Sequence, residues 1–175
     1  MNEKVLRLAA IDGPSPEDIK ELAAAMPVSG DDPIEEFQGD ARFLSNFYES
    51  PVEYRGVTYR NAEAAFQAQK CRDRSRCKDY AALSASAAKR AGRREDLRPD
   101  WEQIKITEMY RIVRAKFAQD ATLAWRLLDT GDRRLVEGNS WNDTFWGVCR
   151  GEGRNWLGTC LMAVRAVLKS AAENA

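Results

Sequence analysis

The sequence predicts a mainly helical α+β fold built around one domain. Segments with the apolar spacing of a helix outnumber short segments that alternate like strands. At 175 residues, with a hydrophobic share of 44%, the chain can bury a core without disulfides or metal. We expect an N-terminal helical appendage and linker at residues 1–33, one domain at 34–170 and a C-terminal tail at 171–175.

The appendage is predicted from one short helix and the segment that follows it. In "SPEDIKELAAAM", Ser15 suits the N-cap and Pro16 the first helical position, and the acidic residues Glu17 and Asp18 fall in the first turn. Residues 27–33, "PVSGDDP", contain turn formers without periodicity. This stretch is therefore predicted to be a linker.

The first part of the main domain is predicted to be a hairpin followed by helices. In "PVEYRGVTYR", apolar and aromatic residues alternate on both sides of Arg55-Gly56, which indicates a small hairpin. Residues 61–80 are rich in alanine and lack proline and glycine, which favours helix. A second short helix is expected from Ser84 to Gly92, where the glycine ends it.

The second part of the domain is predicted to hold three further helices. Pro99, Asp100 and Trp101 open the first, and Asp120 caps the second, "DATLAWRLLDTG". "RRLVEG" is a candidate strand, and the glycines between residues 147 and 158 indicate a loop. The last helix places its apolar residues on one face, namely Leu157, Leu161, Val164 and Leu168.

Composition excludes several kinds of chemistry. The chain has no histidine, which removes Ser-His and Cys-His nucleophile pairs and most zinc sites. The four cysteines form no C-x-x-C pair and are expected to be reduced thiols. We therefore expect neither a metal nor a cofactor.

Charge and hydropathy point to a soluble protein. Twenty-seven basic residues balance twenty-seven acidic ones, so the net charge indicates no polyanionic partner. No apolar run approaches the roughly 18 residues of a membrane span, and the N-terminus does not resemble a signal peptide. A cytoplasmic location without membrane association is expected, and the oligomeric state stays open.

The strongest candidate for chemistry is a polar stripe in the predicted helix after the hairpin. Glu63, Gln67 and Lys70 follow one another at spacings that share a helical face. Such stripes usually face water. Here the opposite positions are mostly alanine, which make a poor core face, and Phe66 lies beside the stripe. A glutamate and a lysine in an apolar cleft can transfer protons, and a desolvated lysine can attack a carbonyl.

Three other clusters carry weaker signals. "NDTFWG" places Asp143 beside Trp146, which suits a slot for a planar base but equally a core corner. The glycine-rich segment with Arg150 and Arg154 suits a phosphate or a simple turn. The basic run "KRAGRR" at residues 89–94 is more typical of a solvated helix end.

Taken in order, these segments resemble the NADAR, or YbiA-like, family. The resemblance covers residues 38–168 and rests on the following motifs: "FLSNFY", "VEYRGVTYRNAEAAFQAQK", "AKRAGR", "RPDWEQIKITEMYRIVRAKFAQD", "LLDTGDRRLVEGN", "NDTFWG" and "GRNWLGTCLMAVRAVL". Each motif alone is unspecific, whereas the ordered set is specific. It implies a single YbiA-like domain with a few short strands.

The resemblance also implies an activity and a set of residues. It implies an N-glycosidase that cleaves a ribose–nitrogen bond, either in a phosphoribosylamino-pyrimidine of riboflavin synthesis or in an ADP-ribosylated guanine base of nucleic acid. Glu63 and Lys70 match the catalytic positions. The matching substrate-binding positions are Asn46, Phe47, Trp101, Asp143, Trp146 and Gly147.

Two departures from the family pattern bear on the substrate. Asn61 replaces a common serine, and Ala65 replaces a common aromatic residue, which predicts a roomier pocket. The loop carrying Asp143 is slightly longer than usual.

The reaction route and two other functions stay open at this point. Direct hydrolysis, with Asp143 as a second carboxylate, and a Lys70 Schiff-base route are about equally compatible with the residues. A non-catalytic ADP-ribose or NAD-binding module is the main alternative function. A general nucleic-acid binder is disfavoured by the balanced charge.

Overall fold

The computed structural model describes residues 3–173 and has the expected mainly helical α+β class. The helices are α1 (Glu3–Ala9), α2 (Pro16–Ala24), α3 (Ala62–Ala68), α4 (Ala85–Gly92), α5 (Trp101–Ala118), α6 (Ala121–Asp129) and α7 (Trp156–Ala172). The strands are β1 (Ser29–Ile34), β2 (Glu49–Tyr54), β3 (Val57–Asn61), β4 (Arg133–Leu135), β5 (Gly138–Asn139) and β6 (Val148–Cys149). Two 3-10 helices cover Gly39–Leu44 and Arg74–Tyr80.

The N-terminal segment joins the main core. Ser15 caps α2 as predicted: its hydroxyl accepts from Asp18 N at 3.1 Å, and Asp18 accepts from Ser15 N in return. Ile19 and Leu22 are fully buried, and α2 packs along α7. This packing, rather than helix propensity alone, stabilises so short a helix.

The stretch predicted to be a linker contains a strand. β1 pairs in parallel with β4, with Ser29 opposite Arg133 and Ile34 opposite Leu135. Residues 27–33 show turn chemistry in sequence, but the N–H of Ser29 donates to the carbonyl oxygen of Asp132, about one hundred residues away. Local pattern cannot show such a pairing.

The helix predicted over residues 61–80 is shorter in the structure. α3 ends at Ala68, and Cys71 then forms an antiparallel bridge with Leu97. Asp73 starts a new 3-10 turn, because its side chain accepts from Ser75 N at 2.9 Å. The side-chain bond of an aspartate competes here with continued helix.

The remaining predicted elements are present, with one change at the last helix. The antiparallel β2–β3 hairpin, α4, and α6 with its Asp120 cap match the sequence pattern. α7 begins at Trp156, so Gly158, predicted to be loop, is helical. A Cβ at Gly158 would collide with the backbone oxygen of Leu135, and this close approach explains the glycine.

The core includes the contact between α5 and α7. Its fully buried side chains include Ile112, Phe117, Leu161 and Val164. All four cysteines are free, as expected for reduced thiols, and all four are buried. Within residues 3–173, no helix has the length and apolarity needed to cross a membrane.

Candidate active site

The main cavity of the described chain has a volume of about 760 Å³. It opens between α3, α4, the segment around residues 37–47 and the loop from 137 to 146. Its charged lining residues are Arg42, Glu63, Lys70, Lys89, Arg93, Glu137 and Asp143. A volume of this size suits a nucleotide-sized ligand.

The polar stripe of α3 lines this cavity and does not face solvent. Glu63 is 6% exposed, and its Oε1 accepts a hydrogen bond from Gln67 Nε2 at 2.8 Å. Burial raises the pKa of Glu63, and the bond from Gln67 and the charges of Lys89 and Lys70 oppose that rise. Of the two interpretations of the stripe, a solvated face is wrong.

The N-terminus of α3 fixes the position of Glu63. Asn61 is the N-cap, and its side chain accepts from Ala64 N at 2.9 Å, which is the role a serine would also fill. The backbone N–H of Glu63 donates to Asn46 O at 3.0 Å. Ala65 is completely buried and is not among the described residues that line the cavity, so its small side chain does not enlarge the pocket.

Lys70 lies just beyond the end of α3, on the same cavity wall. Its Nζ is 6.0 Å from the ring centroid of Phe66 and 5.8 Å from that of Trp101. Burial lowers the pKa of Lys70, and the nearby Glu63 carboxylate opposes this. A lysine in this setting is neutral more often than an exposed lysine is, and only the neutral amine is a nucleophile.

An aromatic cluster backs this wall. The ring of Phe66 lies 5.2 Å from that of Trp101 and 5.2 Å from that of Trp146. Trp146 reaches the cavity, whereas Trp101 is 5% exposed and lies outside the described lining. The structure therefore places Trp101, predicted to bind substrate, behind Phe66 as a support.

Asn46 and Phe47 form the rim next to α4. Asn46 is buried, and its Nδ2 donates to Met109 Sδ at 3.2 Å. Its Oδ1 is also buried, with no hydrogen-bond partner in residues 3–173. Phe47 makes a cation–π contact with Lys89, whose Nζ lies 5.5 Å from the centroid of the Phe47 ring. Both residues line the cavity, as the resemblance implies.

A buried lysine outside the cavity holds this rim. Lys116 is 1% exposed, and its Nζ donates to Phe43 O at 2.6 Å and to Ser45 O at 2.9 Å. Burial lowers the pKa of Lys116 to about 7. The two bonds fix the backbone that leads into Asn46.

Asp143 shapes the loop opposite α3. Its Oδ1 accepts from Phe145 N at 3.1 Å and from Trp146 N at 2.8 Å. Its backbone N and O both bond to the side chain of Asn139, at 3.0 and 2.8 Å. Asp143 lines the cavity, but one of its oxygens is committed to this turn.

Gly147 acts on the cavity through backbone packing. It is not among the described lining residues. A Cβ at this position would collide with the backbone oxygen of Glu137 and approach Asn139 Nδ2 to 2.8 Å. The glycine thus lets the 137–139 and 147–149 backbones lie side by side as β5 and β6.

The cavity lining includes residues outside the predicted site set, among them Arg42, Lys89, Arg93, Glu137 and Trp141. Glu137 belongs to the family motif "LVEGN", and Trp141 directly precedes "NDTFWG". Neither the residue type nor the neighbouring sequence distinguishes these two positions from surface positions. Lys89 and Arg93 belong to the basic run that was interpreted as a solvated helix end. Arg150 and Arg154 of the glycine-rich loop are exposed, and neither is in the described lining. The cations of the cavity lining that suit a phosphate are Lys89 of α4, Arg93 at its C-cap and Arg42 on the segment around residues 37–47.

Comparison with known sequences identifies close relatives. A model of the NADAR domain matches residues 34–169. The N-glycosidase YbiA of Escherichia coli is 39% identical over 129 residues, covering 71% of this chain and 80% of the relative. A riboflavin biosynthesis protein of Vibrio vulnificus is 42% identical over 131 residues, or 73% of this chain. This chain spans 35% of that relative's length.

A solved structure has the same fold. The NMR structure of the Escherichia coli protein YbiA superposes with a TM-score of 0.71 at 35% sequence identity. The match covers 87% of this chain and 93% of the other. At this identity and coverage, the likeness extends over almost the whole described fold.

Proposed function

The chain belongs to the NADAR family, whose YbiA members are N-glycosidases, and we propose that it hydrolyses a ribose–nitrogen bond in a phosphorylated ribosyl substrate. The proposed substrates are a phosphoribosylamino-pyrimidine and an ADP-ribosylated guanine base. Both carry a C1′–N bond, a planar base and at least one phosphate group.

One observation carries the proposal: Glu63 and Lys70 line the same cavity wall, and burial shifts the pKa of each toward its neutral form. Cleavage of an N-glycoside develops positive charge at C1′ and needs proton transfer near neutral pH. A buried carboxylate can stabilise that charge or accept a proton. A partly neutral lysine can attack C1′.

The cavity also has groups suited to the rest of such a substrate. Lys89 and Arg93 offer positive charge for a phosphate group. The rings of Phe47, Trp141 and Trp146 offer surfaces on which a base can stack. The relatives of the Vibrio type are named for riboflavin biosynthesis, which supports the pyrimidine substrate.

The lowered pKa of Lys70 favours the imine route over direct hydrolysis. A ribosylamine opens to an imine, and the Lys70 amine exchanges onto C1′ with release of the base. Borohydride added during turnover then traps a ribosyl adduct, and peptide mass spectrometry locates it on Lys70. An absence of any adduct, with turnover intact, would leave direct hydrolysis as the route.

The test of function is release of the base. Purified protein is incubated separately with the phosphoribosylamino-pyrimidine and with guanine-ADP-ribosylated DNA, and free base and ribose phosphates are quantified. We expect release from at least one substrate and a loss of about 10³-fold in Glu63→Gln. Glu53→Gln is the matched control, because Glu53 is exposed on β2, and we expect full activity.

Two outcomes would contradict this function. Tight binding of ADP-ribose without release from either substrate would indicate a binding module. Full activity of Glu63→Gln would remove Glu63 from the reaction.

A further inference from the structure

Glu137 projects into the cavity from a backbone that is fixed on both sides. It lies two residues after β4, and its N–H donates to Asn155 Oδ1 at 3.0 Å. Its carbonyl oxygen accepts from Val148 N at 2.9 Å, beneath Gly147. A rigid backbone leaves only the side-chain torsions of Glu137 free, and the side chain lines the cavity.

The carboxyl group of Glu137 is not used by the fold. In the described part of the chain, its Oε2 is buried and has no hydrogen-bond partner. An unpartnered buried carboxylate oxygen is costly, whereas a neutral carboxylic acid with a ligand to donate to is not. Burial, followed by the charges of Asp143 and Glu63, raises the pKa of Glu137 to about 7.

Burial raises the pKa of both Glu63 and Glu137, and their hydrogen bonds then distinguish the two. Glu63 accepts a hydrogen bond from Gln67, which favours its carboxylate form. Among the described residues, Glu137 Oε2 has no such donor, and the negative charge of Glu63 disfavours a second charge in the same cavity. Two coupled acids in such a site hold a proton unequally.

We propose that Glu137 is the general acid that protonates the departing nitrogen, while Glu63 remains the base. This assignment rests on the N-glycosidase function proposed above. It also moves the second carboxylate from Asp143 to Glu137. Asp143 is the weaker candidate, because its Oδ1 already accepts two backbone N–H groups and is committed to the turn.

The proton and electron movements balance in a single cleavage step. As the C1′–N bond breaks, its electron pair stays on the nitrogen, and the Glu137 proton forms the new N–H bond. The group that replaces the nitrogen at C1′, water or the Lys70 amine, gives one proton to the Glu63 carboxylate. Glu137 ends ionised and Glu63 ends protonated, and proton exchange with solvent restores both. When Lys70 is the attacking group, a second step frees it: the OH of a water bonds to C1′ as the C1′–N bond to Lys70 breaks, and the other proton of that water goes to the departing Lys70 amine.

The test is the pH dependence of kcat/KM. A general acid must be protonated, so wild-type activity should fall as the pH rises through about 7. In Glu137→Gln, we expect kcat to fall about 100-fold and the alkaline decline to disappear. The other charged groups around Glu137 are unchanged in this variant, namely Arg42, Glu63, Lys70, Lys89, Arg93, Lys116 and Asp143.

Two further variants separate chemistry from structure. Glu137→Asp keeps an acid that is one methylene shorter, so it should keep the alkaline decline at reduced kcat. Asp143→Asn keeps a side-chain oxygen for the turn, and it should also keep the alkaline decline. Thermal unfolding of each variant reports any loss of fold.

The results distinguish this inference from the proposed function. A wild-type protein that releases no base overturns both. Wild-type turnover with no alkaline decline up to about pH 9 overturns the role of Glu137 alone, and this result needs no variant. A folded Glu137→Gln that keeps wild-type kcat, or that keeps the decline, also overturns it.

Discussion

The two walls of the cavity are built in different ways. The helical wall consists of Glu63, Gln67 and Lys70, which lie on α3 or just beyond its end, within eight residues of sequence. The loop wall consists of Glu137, Trp141 and Asp143. Asn155 and Gly147 fix the backbone of Glu137, and Asn139 fixes that of Asp143. The comparison shows that local spacing can place one half of a site, while long-range backbone contacts place the other.

The walls also differ in how their polar groups are satisfied. On the helical wall, Gln67 donates to Glu63 within the wall itself. On the loop wall, hydrogen bonds fix the backbone and leave the Glu137 carboxyl free. We therefore expect substitutions of Glu63, Lys70 and Glu137 to change chemistry directly, and substitutions of the residues that hold the loop wall to act through the position of Glu137.

The largest effect is expected at Lys70 in the helical wall. Lys70→Met should reduce kcat by about 10³-fold, because it removes the proposed nucleophile. Lys70→Arg is the matched variant: it keeps the charge but cannot form an imine, and it should be equally slow. Steady-state release assays measure both. Recovery of activity in Lys70→Arg would show that only the positive charge is needed.

The next effect displaces the loop wall without replacing any of its polar side chains. In Gly147→Ala, the added Cβ would collide with the Glu137 backbone oxygen, which cannot move aside as a flexible side chain can. Displacement of Glu137 by about 1 Å should reduce kcat about 100-fold. The overpacking should lower the free energy of unfolding by about 1–3 kcal/mol.

Denaturant unfolding and kinetics together test this prediction. Unchanged kcat in Gly147→Ala would mean that the position of the loop wall does not limit catalysis. Unchanged stability with reduced kcat would instead restrict the effect of the glycine to the site.

A smaller effect is expected at the mouth of the loop wall. Trp141 lines the cavity although it is 58% exposed, and Asn142 beside it has a positive φ of 63°. Trp141→Ala should raise KM about tenfold with kcat unchanged, because a stacking surface for the base is lost. Trp125→Ala is the control, since Trp125 is 64% exposed on α6 and is not in the described cavity lining.

The smallest effect concerns the bond inside the helical wall. In Gly92→Ala, the added Cβ would collide with Oε1 of Gln67 and push the Gln67 amide away from Glu63. Loss of that donor should raise the pKa of Glu63 further. Because Glu63 must be ionised to act as the base, activity should then begin to fall at a higher pH when the solution is acidified. We expect a shift of the acid limb of up to about one pH unit. Gln67→Leu removes the same donor and should give the same shift.

The sequence predicts the helical wall better than the loop wall, and the reason is physical. The spacing of Glu63, Gln67 and Lys70 is a local property, so an α-helix there suffices to bring them together. Family resemblance adds Asn46, Phe47, Asp143 and Trp146, all of which line the cavity. The resemblance also implies Trp101 and Gly147, which are not among the described lining residues and instead support the residues that are.

The loop wall escapes prediction because its position depends on distant contacts. Glu137 is one glutamate in a short strand pattern, and nothing local distinguishes it from an exposed one. Its position depends on Asn155, 18 residues later, and on the missing Cβ of Gly147. For the same reason the sequence does not predict β1, because its partner β4 is about one hundred residues away.

The claim that both walls act in one step is tested most directly by a double-mutant cycle on Glu63 and Glu137. The kcat of wild type, Glu63→Gln, Glu137→Gln and the double variant is measured with the substrate that wild type cleaves. Groups that act as a unit are strongly non-additive. The account predicts that the double variant is within about tenfold of the slower single variant. Losses that multiply in full would contradict it, because the two carboxyl groups would then act independently.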